Sequence, residues 1–242
     1  MGNHWDPMLN FKSNVMRIHK IFLSSFLLAL GFAGTAQNTS KVSFGLRGGF
    51  DYRNINGKNQ NGDDLNFKMV PRFNGGLVVE IPVAKDFFIQ PSLLYATKGG
   101  KTEDNFFGST ISAEYNLGYL ELPVNFVYKP QLGNGNMLLG FGPYVAYGIT
   151  GNIKYALDGT SRTDDIEYTK DYSDENSLNG KYIKPFDYGG NILFGYQFAR
   201  GFSAQLNAQL GMAQIKADNN LDTDSQVKFK NTGFGISLGY MF

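Results

Sequence analysis

From residue 41 onward, apolar and polar residues alternate with a period of two in eight separate stretches, and no 3.6-residue periodicity is sustained. In 41–53, Val42, Phe44, Leu46, Phe50 and Tyr52 share one face, opposite Ser43, Arg47, Asp51 and Arg53. In 72–82, Phe73, Leu77, Val79 and Ile81 oppose Arg72, Asn74 and Glu80. In 87–98, Ile89, Leu93 and Tyr95 oppose Gln90, Ser92 and Lys98. In 119–129, Leu120, Leu122, Val124, Phe126 and Tyr128 oppose Glu121, Asn125 and Lys129. The stretch 138–150 sets Leu139, Phe141, Val145, Tyr147 and Ile149 against mostly glycine. In 186–198, Phe186, Tyr188, Ile192, Phe194, Tyr196 and Phe198 face away from Asp187, Asn191 and Gln197. In 202–213, Phe202, Leu206, Leu210 and Met212 oppose Ser203, Gln205, Asn207 and Gln209. The last stretch, FGISLGYMF at 234–242, aligns Ile236, Leu238, Tyr240 and Phe242. Pro91, Pro123 and Pro143 weaken three of these strands locally, because proline cannot donate to the ladder.

The connections alternate in length. VAKD, PQLGNGN and ARG are short, whereas 54–68, 99–116, 151–183 and 214–228 are long and polar. An even number of strands with short turns at one end and long loops at the other predicts an all-β fold, an eight-stranded antiparallel up-and-down transmembrane β-barrel. Lipid offers the backbone no partners, so such a sheet has to close. Tyr52, Tyr95, Tyr147 and Tyr188 fall at the long-loop rim, and Tyr128, Phe198, Phe202, Tyr240 and Phe242 at the short-turn rim. Two aromatic belts on one face match the two interfaces of a bilayer. The opposite face carries Arg47, Arg72, Glu80, Lys98, Glu121 and Asp187. Eight strands leave room inside for side chains only, so these charges are expected to form a paired plug; a narrow conduit is the alternative.

The first 36 residues read as an address. Arg17 and Lys20 precede an apolar run at 21–33 and the small residues of GTAQ. This is the layout of a secretory signal with cleavage between Ala36 and Gln37, and the run is too short to span a membrane as a helix. Translation starts at Met1, Met8 or Met16; the barrel domain is 37–242, and its termini are expected in the periplasm with the long loops outside. Processing would remove Lys12, Arg17 and Lys20 with Asp6, taking the formal charge from +1 to −1. It would also remove His4, His19 and Trp5, the only histidines and tryptophan. With no cysteine anywhere, a disulfide framework, a thiolate metal site and a histidine-based triad are excluded from the mature chain. No basic footprint points to nucleic acid.

Three motifs fail on inspection. GGKT at 99–102 lacks the first glycine of a phosphate loop, since position 95 is tyrosine. Asp218, Asn220 and Asp222 have calcium-loop spacing, but the sixth position is Thr223 and the twelfth Phe229. The acids of 164–176 read as a solvated loop. Loop carboxylates show no spacing that selects an acid/base pair, so no enzyme, cofactor or metal is expected. A soluble, lipocalin-like carrier with its apolar face turned inward is the remaining architectural alternative.

FIQPSLLYATKGGK, GYLELPVNFVYK, GFGPYVAYGI and FDYGGNILFGYQF, closed by SLGYMF, resemble the PorT-like outer-membrane β-barrel family of Bacteroidota over roughly 41–242. The resemblance implies a small porin-like barrel of the outer membrane with no catalytic motif, one branch of the family serving secretion. Expected partners are outer-membrane lipid and lipopolysaccharide, the barrel-assembly machinery and secretion-system proteins, the barrel itself being a monomer. Ile236, Leu238, Tyr240 and Phe242 resemble the terminal signal that assembly machinery reads. The expected role is that of a structural or interaction protein acting through surface loops, with a small pore or secretion accessory as the alternative.

Overall fold

The computed structural model describes residues 41–58, 62–65, 67–106, 109–157, 160–173, 181–220 and 227–242. The expected signal sequence, its Ala36–Gln37 junction, and Asp222 and Thr223 lie outside them. Eight long strands follow the alternation: β1 (Ser43–Lys58), β2 (Val70–Ala84), β3 (Phe87–Lys98), β4 (Ser109–Tyr128), β5 (Gly135–Leu157), β6 (Phe186–Gln197), β7 (Phe202–Gly211) and β8 (Lys228–Met241). Each pairs antiparallel with its sequence neighbour, and β8 pairs with β1, from Gly45↔Met241 to Lys58↔Lys228. The ring is closed and has no free edge to protect.

Cross-strand partners trace the outer wall as a nearly continuous apolar spiral. It runs from Ile81 through Ile89, Phe126, Phe141, Ile192, Ala208 and Phe234 to Tyr52. From Tyr52 the path re-enters β2 at Pro71, ten residues from its start. This stagger is the shear that tilts the strands of a closed barrel, by about 35–45° in barrels generally. Outward residues such as Phe50, Phe141, Ile192 and Phe234 are exposed, as a lipid-facing wall requires. Aromatic contacts mark both rims. Tyr52 meets Phe234 and Tyr147 meets Phe186 at the long-loop end, while Phe87 stacks on Tyr128 and Phe202 packs edge-on to Tyr240 at the other.

Strands run unbroken through Pro91, Pro123 and Pro143, two of which face outward and one, Pro123, inward. Turns at the short end are tight. Asp86 takes φ 62°, and Gly201 takes φ 82° beside the closing strand, where a Cβ would lie 2.4 Å from the Met241 carbonyl.

The long connections depart from the polar-loop expectation. Much of 99–116 is a regular hairpin, Lys101–Phe106 pairing with the start of β4. The far end of β5 likewise pairs with Thr160–Asp165. Two short parallel pairs, Glu167–Tyr168 with Tyr182–Ile183 and Asp171–Tyr172 with Asp218–Asn219, lie beyond it. The described acids of this stretch, Asp164 to Asp171, are therefore interleaved with ordered backbone: Ile166 is buried and Tyr168 half-buried, while 174–176 lie outside the described residues.

Candidate functional site

Alternation delivers polar side chains to the middle of the barrel, where they pair. The Lys98 ammonium donates to Asp187 Oδ2 at 2.9 Å and lies 2.7 Å from Glu121 Oε2, with no exposure to solvent. It also sits over the Tyr144 ring, 4.1 Å from the centroid. Asp187 accepts further hydrogen bonds from the Tyr144 hydroxyl and from Asn231 Nδ2. On the facing wall Arg53 donates to Asp51 at 3.0 Å and to Gln209 Oε1, and Gln209 passes the chain on to Glu121 Oε1 at 2.9 Å. Asn74 donates to Asp51 at 2.7 Å. Every carboxylate of this cluster thus has a cation or an amide against it, as burial in a low-dielectric interior demands.

The six charges singled out in the sequence fall into separate groups. Lys98, Glu121 and Asp187 meet directly. Arg47 lines the same small cavity as Asp51, Arg53 and Glu121. Glu80 lies nearer the short turns, where Lys129 donates to it at 2.6 Å and Gln90 at 3.3 Å. Arg72 is at the long-loop rim, donating to the Tyr115 and Lys98 carbonyls and to Glu114. Tyr144 and Asn231 were not singled out. Tyr144 lies with the buried Leu138 on the glycine-rich face of its stretch, and its even spacing from Gly140 and Gly142 is the signal that places it inside.

Toward the long loops the interior changes character. Ile55, Tyr115, Leu117, Tyr119, Ile153 and Phe229, all from barrel strands, pack with Ile166, Ile183 and Ile215 from the connections. Backbone bonds hold these segments in the mouth: Ile166 N–H donates to the Gly151 carbonyl, Ile215 N–H to Phe229, and Lys184 N–H to Ile215. Tyr168 lies against Gly148, where a Cβ would come within 2.2 Å of its ring, and its hydroxyl donates to the Thr150 carbonyl at 2.9 Å. Burial pushes the Tyr168 hydroxyl above its ordinary pKa. Within the 101–106 strand, Lys101 and Lys68 hold the Glu103 carboxyl down at about 2.

Inside the wall, voids of about 40 Å³ beside Arg47, Asp51 and Gln209 and about 20 Å³ beside Glu80 and Gln90 have room for a few waters. The failed motifs have ordinary partners. Gly99 turns with φ 135°, Lys101 pairs with Glu103, and Asp218 pairs with Lys184. Among the described residues no group of acids or histidines is placed to hold a metal ion.

A closed antiparallel ring, apolar outside and charge-paired inside, defines an integral β-barrel of the outer membrane. The chain belongs to the outer membrane protein beta-barrel domain family, whose model matches residues 35–217. No curated protein matches it. Among solved structures it is similar to Neisserial surface protein A, at 9% identity and a TM-score of 0.42, over 84% of this chain and all of that one. It is also similar to Ail, the attachment invasion locus protein of Yersinia pestis, solved with the heparin analogue sucrose octasulfate, at 13% identity and a TM-score of 0.38 over the same shares.

Proposed function

We propose that this protein is a monomeric, non-catalytic barrel whose interior is filled and whose work is done by its long connections as a structural or interaction surface. One observation carries the reading: the polar plug and the apolar loop core succeed each other along the barrel axis, and among the described residues the voids within them are about 40 and 20 Å³, the larger hollow lying along the outward face beside Phe141, Ile192 and Phe234. A conducting barrel needs a continuous water path, which a tightly filled eight-stranded wall does not leave. In this reading residues 1–36 are the cleaved leader, the short turns face the periplasm and the long connections face outward. The motifs shared with the PorT-like barrels support placing it among them, and Ile236, Leu238, Tyr240 and Phe242 are its assembly signal.

Planar-bilayer recording from the mature protein tests the filled-barrel reading. The expected trace has no steady unitary conductance. Stable single-channel steps would establish a pore instead.

A further inference from the structure

Strands β1 and β8 carry an arrangement that the filled barrel does not use. Lys58 and Lys228 are direct cross-strand partners, and Lys230 follows two residues along on the same outward face. All three are exposed. Like charges placed opposite each other on one face of a sheet destabilise it unless something neutral or anionic intervenes. Lys58 donates to the Gly62 carbonyl at 3.3 Å and has one distant carboxylate, Asp64 at 3.8 Å, and no ion pair involves Lys228 or Lys230 among the described residues. Lys68 and Lys101, by contrast, share Glu103, and Lys184 has Asp218.

Their height on the wall identifies what they face. Below them on the same outward column lie Asn56, Asn54 with Thr232, and then Tyr52 with Phe234, the aromatic pair of the long-loop rim. Lys230 is four residues beyond Phe234, about 13 Å along a tilted strand. Exposed Met212, the outward position after Leu210 on the neighbouring strand, keeps an apolar surface beside it. An ammonium on a flexible stem just above an aromatic belt sits at headgroup level, with its methylenes along the apolar wall.

We propose that Lys58, Lys228 and Lys230 bind the phosphate groups of a phosphorylated glycolipid, lipid A, in the leaflet on the long-loop side. The choice of lipid A rests on the outward orientation of the long connections proposed above. Neighbouring ammonium groups on flexible stems recognise a phosphate monoester by charge-assisted hydrogen bonds, and the lipid supplies the anion that relieves their repulsion.

The test uses full-length mature protein in detergent, with lipid A, enzymatically dephosphorylated lipid A and inorganic phosphate as separate probes. Retained lipid is counted by native mass spectrometry. Wild type and the control K85Q, in the short turn between β2 and β3, should retain phosphorylated lipid A. K228Q/K230Q should bind it about fivefold more weakly per lysine removed, with normal heat-modifiable mobility showing that the barrel has formed. Equal retention by the double variant, equal retention of the dephosphorylated lipid, or displacement by millimolar phosphate would overturn the site. Orientation is read separately. The chain has no cysteine, so Ser161→Cys gives a unique label on the exposed 160–165 strand. Labelling of intact cells by an impermeant maleimide is expected; labelling only after lysis would overturn the orientation, and lipid A with it, whatever the binding measurements return.

Discussion

At the residue scale, Lys98 decides how the interior tolerates charge. It neutralises Asp187 and lies against Glu121, and both carboxylates are buried. Removing one partner of such a group leaves an uncompensated ion at a cost of about 3–5 kcal/mol, whereas removing the whole group for apolar residues of similar volume can be neutral. Lys98→Met is therefore expected to lower stability by about that amount in denaturant unfolding from lipid. The variant that also carries Glu121→Leu and Asp187→Leu should recover most of it. A single variant as stable as the wild type would show that the carboxylates have other partners.

At the element scale, β1 and β8 keep their in-and-out alternation as they leave the membrane, but the apolar residues change from the outer face to the inner one. Within the lipid band Tyr52 points out and Arg53 in, yet a few residues further Ile55 is buried and Asn56 exposed. On β8, Phe234 faces out while Phe229 is inside and Lys228 and Lys230 are outside. Beyond the bilayer the wall is in water, so the hydrophobic effect turns the apolar side inward as in any soluble domain. On β5 a register shift opposite Gly118 and Tyr119 leaves Ile149 and Thr150 both exposed, which brings Ile153 and Tyr155 to the interior. The eight barrel strands were legible because one unbroken alternation serves each lipid-facing segment. The loop core was not, because Ile166, Ile183 and Ile215 are isolated among charged neighbours and the bulge has no local sequence mark. Gly148 is the contact that seats this core. Gly148→Val should drive Tyr168 out of the mouth at about 1–3 kcal/mol, seen as faster proteolysis between residues 160 and 185. An unchanged cleavage rate would show that Tyr168 does not anchor the segment.

At the scale of the whole molecule, the barrel depends on joining its first strand to its last. That seam is held by the β1–β8 ladder and by Phe242, whose N–H donates to the Phe44 carbonyl while its ring packs against Tyr240. Tyr240→Asp/Phe242→Asp should lower the fraction of heat-modifiable, membrane-inserted protein more than an equal number of charges placed in the 160–165 strand. Equal yields would detach the terminal aromatics from assembly. The sequence pattern made this closure expected, since eight strands in lipid cannot leave an edge, but it held no information on which interior charges would meet. Arg72 and Glu80 share a strand face but stand about 26 Å apart along it, and the tilt and stagger of the ring decide that one meets the Tyr115 carbonyl and the other Lys129.

The change of apolar face on these strands also works as a depth gauge. If the barrel sank toward the short-turn side, Lys228 and Lys230 would enter hydrocarbon, at up to about 2–4 kcal/mol each near the midplane. If it rose, Phe50, Phe141 and Ile192 would be lifted toward water. The molecule is thereby fixed along the bilayer normal, and a membrane too thin or too thick for it has to deform around the protein. A wall whose apolar face changes along its height sets the local thickness of its own membrane.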